Sequence, residues 1–133
     1  MIARDALAAY RLAVLTAHAW LGLIAFDLAR LAGFVHLHDW VRHHAVNGHR
    51  SSATVEEIVW AVDEACVWYF RRAACLQRSV IATALLRRHG LRAQLVIGCR
   101  PLPFESHAWV ELDGTVINDR PQYQRCFTVL DRL

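Results

Sequence analysis

The sequence predicts an α+β fold: an N-terminal helical region, then a small antiparallel sheet packed on the helix that carries Cys75. Three observations predict it. Residues 4–32 are rich in Ala and Leu, as a long helix would be. After Gly90 the apolar period shortens to two, in LRAQLVIG (91–98). Asp113-Gly114 then separates two short β-rich runs, HAWVEL and TVIN. With 133 residues the chain reads as one domain, 1–133, with 1–72 helical and 73–133 holding the Cys75 helix and the sheet.

In the first helix Arg4, Arg11 and His18 recur every seven residues and mark a narrow polar stripe. The rest of the circumference is apolar, so the helix is expected to be largely buried. Its most apolar stretch, residues 12–26, is shorter than the roughly 20 residues a bilayer requires, so no membrane span is expected. Residues 34–53 hold five of the eight histidines. His36, His38, His43, His44 and His49 lack a carboxylate or cysteine at a closing ligand spacing, so no metal site is expected.

Thr54 and Glu57 form a capping box, which starts a helix expected to run to about Arg72. Ile58, Val62, Ala65 and Tyr69 give it one apolar face. A second helix follows over residues 74–90. Arg87, Arg88 and His89 suit its negative C-terminal dipole, and Gly90 suits the left-handed position beyond it. Pro101 and Pro103 keep residues 99–106 out of a central strand. Pro121 ends the TVIN strand, and CFTVL (126–130) reads as a further short strand.

Two turns fit Asp113-Gly114. A two-residue loop pairs Leu112 with Thr115 and sends His107 and Asp119 to opposite faces. A three-residue loop pairs Glu111 with Thr115 and His107 with Asp119, about 5 Å apart at Cβ. The second is favoured, with Trp109, Glu111, Thr115 and Ile117 on the face of His107 and Asp119.

Cys75 is the candidate nucleophile for that pair. A thiol at a helix N-terminus feels the positive end of the dipole, and an imidazole beside it favours thiolate further. Cys75, His107 and Asp119 would then form a Cys-His-Asp triad attacking an acyl carbon, with the Cys75 amide as one oxyanion donor. The plainer alternative is that Cys75 is a small core residue, as Cys66 is expected to be, and that His107 is inert.

Charge and cysteine usage bound the rest. A net charge of +3, evenly spread, does not argue for nucleic acid; it is compatible with an acidic peptide. Four cysteines without CxxC spacing, and no visible secretory signal, suggest reduced thiols in the cytoplasm.

The segments CLQRSVIATALLRRHGLRAQLVIG and SHAWVELDGTVIND, in this order, resemble the leader peptidases of lasso peptide biosynthesis. These are the B-type proteins, here the separate protease half, of the transglutaminase-like superfamily of cysteine proteases. The resemblance covers residues 74–120. It rests on Cys75 with Arg78-Ser79, the Arg87–Gly90 helix end, Leu95–Gly98, His107–Glu111, and Asp119 twelve residues after His107. It implies a transglutaminase/papain-like core with Cys75, His107 and Asp119 catalytic, and no cofactor or metal. The implied reaction removes the leader from a ribosomally synthesised precursor through a thioester. The implied partners are that precursor, a separate leader-recognition protein and an ATP-dependent macrolactam cyclase, either of which the apolar N-terminal helix could dock. Alternatives are an acyltransferase that passes the acyl group to an amine, and a non-catalytic peptide-binding protein. Gln77 is near enough to be a second oxyanion donor, but its place in the first helical turn leaves that role unassigned.

Overall fold

Thr54 starts a helix as its capping box predicts. Its hydroxyl accepts from the Glu57 amide at 3.1 Å, and the Glu57 carboxylate accepts from the Thr54 amide at 2.9 Å. In the computed structural model, which describes residues 1–133, this helix is the third of five. Helix α1 spans Ile2–Arg30, α2 Phe34–His43, α3 Val55–Val67 and α4 Cys75–Arg88. Strand β1 (Ala93–Pro101), β2 (Phe104–Leu112) and β3 (Thr115–Val116) follow, then a single turn α5 (Tyr123–Cys126) and β4 (Thr128–Arg132). The four strands form one antiparallel sheet in the order β3-β2-β1-β4. The α+β class is as predicted.

Three expectations about the elements need correction. Helix α3 stops at Val67 rather than near Arg72. Trp68 leaves helical backbone, its indole N–H donates to Glu64 at 2.7 Å, and Tyr69 turns inward to donate to Asp27. Strand structure also extends through both ends of 99–106, and β1 is a central strand. The prolines are tolerated because they lie at the hairpin tip, beyond Cys99, the last β1 residue that β4 pairs.

The third correction concerns α1. Only Leu15, Ala19, Leu23 and Phe26, spaced at helical intervals, are buried, against α3 and α4. Leu7, Tyr10, Leu21 and Leu28 are exposed. The apolar run also extends past residues 12–26, so by length and composition this helix could cross a membrane.

The sheet has two unlike faces. Ala93, Leu95, Ala108 and Val110 join the main core, built with α1 to α4. Val96, Trp109, Val116 and Phe127 form a second, smaller cluster with Tyr123 and Val129.

The last turn of α4 departs from a simple dipole partnership. Arg87 is buried, and its guanidinium donates to the carbonyls of Ala93 (2.9 Å), His44 (3.1 Å), Leu133 (2.8 Å) and Val41. One side chain thereby ties α2, α4, β1 and the C-terminus together. Gly90 has φ +84, the left-handed conformation expected, and a Cβ there would lie 2.7 Å from the His49 carbonyl.

Candidate active site

His107 lies on β2 opposite Gly98. Along β2, Ala108 and Val110 face the main core, so His107, Trp109 and Glu111 face the second cluster. The His107 ring packs against Tyr123 at a tilt of 37°, with centroids 4.3 Å apart, and lies near Phe127 at 5.7 Å. Gly98 makes room for Trp109 and Phe127 beside this ring. A Cβ at position 98 would lie 2.8 Å from Trp109 Cη2 and 3.0 Å from Phe127 Cβ.

Nε2 of His107 is 2.9 Å from Oδ2 of Asp119, and both side chains are mostly buried. The contact arises by a route other than the favoured register. Asp113 (φ +51) and Gly114 (φ +78) form a two-residue turn, and the ladder pairs Leu112 with Thr115 and Glu111 with Val116. The three-residue register is therefore wrong, and Ile117 packs with the main core on the face opposite His107. In a continued ladder this register would separate His107 from Asp119. The chain instead leaves the ladder after Ile117, whose amide donates to Val110 O at 3.0 Å. The Asn118 side chain replaces the next strand bond, Oδ1 accepting from the Val110 amide at 2.8 Å. Freed from the pleat, Asp119 turns to the imidazole face.

Helix α4 anchors this departure. Asn118 Nδ2 donates to Ser79 Oγ at 3.1 Å, and Ser79 Oγ donates to Ala108 O at 3.1 Å. One residue earlier, Arg78 Nη2 donates to Asp119 Oδ2 at 2.8 Å. The other oxygen, Oδ1, accepts from the Arg120 amide at 2.9 Å. Asp119 is thus held from three directions. The sequence motif contained Arg78 and Ser79, but neither partnership was visible in it.

Cys75 is the first residue of α4, a half-buried free thiol packed against the main core. It lies one helical turn before Arg78, so the two side chains share a face. No hydrogen bond joins the thiol to the imidazole; the structure pairs His107 with Asp119 and places Cys75 on the helix whose next turn grips that pair. Gln77 is buried and donates to Leu23 O at 3.0 Å, a tie to α1 rather than a group facing an open cleft.

A second cysteine, Cys66, is also half-buried. Burial pushes the Cys66 thiol up, the Asp63 carboxylate adds to this, and Arg78 acts against it. Burial likewise raises Asp63, countered by Arg78 and reinforced by Asp119. Cys66 is therefore the less reactive kind of cysteine. Of the histidines of 34–53, His38 pairs with Asp131 at 2.8 Å and His43 bonds its own helix at Asp39 O.

A helix opening on a cysteine, packed on an antiparallel sheet whose histidine meets an aspartate beyond the ladder, puts the residue types of thiol acyl chemistry on adjoining elements. A family model described as the transglutaminase-like superfamily matches residues 22–132, and the chain belongs to that superfamily. Among curated proteins, it is 41% identical over 59 residues to the microcin J25-processing protein McjB of Escherichia coli. That match covers 44% of this chain and 28% of the relative, so the chain spans less than a third of that protein's length. No solved structure matches it.

Proposed function

We propose that this chain is a cysteine peptidase that removes the leader from a ribosomally synthesised lasso precursor peptide. The observation that carries the proposal is the His107–Asp119 pair, held by the helix that Cys75 begins. Nε2 is committed to Asp119, which leaves Nδ1 as the ring nitrogen for the thiol. The likeness to a microcin-processing protein supports a peptide substrate.

In this mechanism His107 takes the Cys75 proton, giving thiolate and imidazolium. The thiolate attacks the carbonyl of the last leader residue, and the Cys75 amide N–H faces the developing oxyanion. The imidazolium protonates the departing core amine as the C–N bond breaks, leaving a thioester. His107 then takes a proton from water, hydroxide attacks the thioester, and the leader leaves as a free acid while the thiol regains its proton. Asp119 orients the ring and stabilises its charged form.

The partners in this reading are the precursor, a separate leader-recognition protein and the ATP-dependent cyclase that closes the released core. Exposed Leu7, Tyr10, Leu21 and Leu28 on α1 support a protein contact there. Four free thiols support work in a reducing cytoplasm.

The experiment is to incubate the protein with a candidate precursor, with and without the neighbouring recognition protein, and weigh the products. Free leader acid and intact core support the peptidase. A leader–amine adduct would replace it with an acyltransferase, and an uncut precursor in both mixtures would leave a binding protein.

A further inference from the structure

Asp119 has left the strand ladder, so no strand pairing fixes the direction of its carboxylate. Its own backbone turn supplies one bond, from Arg120 N to Oδ1. The oxygen that matters to His107 is Oδ2, and its second partner is Arg78 Nη2 at 2.8 Å. The same guanidinium extends Nη1 to within 3.5 Å of Asp63 Oδ1 on α3. A guanidinium is planar, and its N–H groups form a rigid fork, so fixing one edge directs the other.

We infer that Arg78 is a positioning residue for the site. Braced by Asp63, it holds Oδ2 of Asp119 on the His107 ring and so fixes the imidazole relative to Cys75. This role rests on the triad proposed above. No hydrogen bond joins Arg78 to the thiol or to the imidazole; it acts through Asp119. Because Cys75 and Arg78 lie on successive turns of α4, the thiol and the brace of the carboxylate share one rigid element. Lysine could replace one of the two contacts but not both, since its ammonium is a point charge without a fork.

The test needs no substrate. The full chain is treated with iodoacetamide at neutral pH, and alkylation of Cys66, Cys75, Cys99 and Cys126 is followed separately by peptide mass mapping. In the wild type Cys75 reacts faster than the exposed Cys126. Arg78→Gln slows Cys75 by about tenfold. Arg78→Lys recovers part of the rate, and millimolar methylguanidinium restores Arg78→Ala. Asp63→Asn slows Cys75 less than Arg78→Gln does. Circular dichroism melts identify variants that fail to fold; should Arg78→Gln be one, Arg78→Lys and Asp63→Asn carry the test.

The outcomes separate this role from the triad. A wild-type Cys75 no faster than Cys126 overturns the triad and this role with it. A fast wild type and an equally fast Arg78→Gln overturns the Arg78 role alone. A slow Arg78→Ala that methylguanidinium does not restore, with Arg78→Lys no better than Arg78→Gln, makes Arg78 a structural staple and also overturns the role.

Discussion

Asn118 stands in for a β-strand at Val110. Its side-chain oxygen takes the Val110 amide at 2.8 Å, and its amide nitrogen reaches Ser79 at 3.1 Å. Both bonds are buried. Removing the side chain leaves the Val110 N–H without an acceptor, a cost of about 1–3 kcal/mol. Asn118→Ala should therefore lower the unfolding free energy measured in urea by that amount. It should also reduce Cys75 alkylation, because Asp119 follows directly. Stability and thiol reactivity both unchanged would show that Asn118 does not hold this corner.

Gly98 lies under the Trp109 ring, which also neighbours His107. Gly98→Ala adds a methyl where Trp109 Cη2 is 2.8 Å away and the Phe127 Cβ is 3.0 Å away. Crowding of this kind costs about 1–3 kcal/mol. The expected result is a lower melting temperature with a changed tryptophan fluorescence spectrum. An unaltered melt would mean that the aromatic layer yields freely.

The parts of this fold that were legible in the sequence are those decided locally. Thr54 and Glu57 cap a helix three residues apart, Gly90 takes a left-handed turn, and Asp113-Gly114 makes a hairpin. The pairing of His107 with Asp119 was also anticipated, but from the wrong register. The true turn has two residues, and the pairing is rescued by Asn118 leaving the ladder. That departure depends on Ser79, 39 residues away, and local pattern carries no trace of it. The same holds for Arg78 and Asp119, 41 residues apart, and for Arg87, whose position beside Arg88 and His89 suggested a dipole partner rather than a core tie.

Glu111 is a carboxylate at 1% exposure on the floor of the second cluster. Burial raises its pKa, but the Trp109 indole (2.9 Å), Gln124 amide (3.0 Å) and Arg132 guanidinium together outweigh burial and hold it below the ordinary value of 4.5. A carboxyl depressed on folding stabilises above its unfolded pKa, and that stability is lost as pH falls through the folded value. Wild type should exceed Glu111→Gln by about 1.5–3 kcal/mol at pH 7. The gap should close as the pH drops below about 4.5. Urea titrations from pH 7 to 3 measure it; a gap constant across that range would contradict the assignment.

Arg87 is satisfied by main-chain carbonyls from three other parts of the chain. Arg87→Ala removes charge-assisted bonds to these carbonyls, of which Leu133 O keeps the Leu95 amide as a donor, and should cost about 1–3 kcal/mol. Chemical denaturation checks this. A loss under about 1 kcal/mol would show that water replaces the guanidinium.

Within the proposed mechanism the three site residues are not equivalent. Cys75→Ala and His107→Ala remove the nucleophile and its base, and each should reduce cleavage to background. Asp119→Ala removes orientation and charge stabilisation only, so its rate should fall by less than either. Single-turnover rates rank them. Asp119→Ala as inactive as Cys75→Ala would assign the carboxylate a larger share.

The central claim is that Cys75 carries the acyl group. Intact-mass analysis of a candidate precursor, incubated with its recognition protein and with either wild type or Cys75→Ala, tests it most directly. The account predicts leader acid and core from the wild type and uncut precursor from a folded Cys75→Ala. Equal cleavage by the two proteins would contradict it.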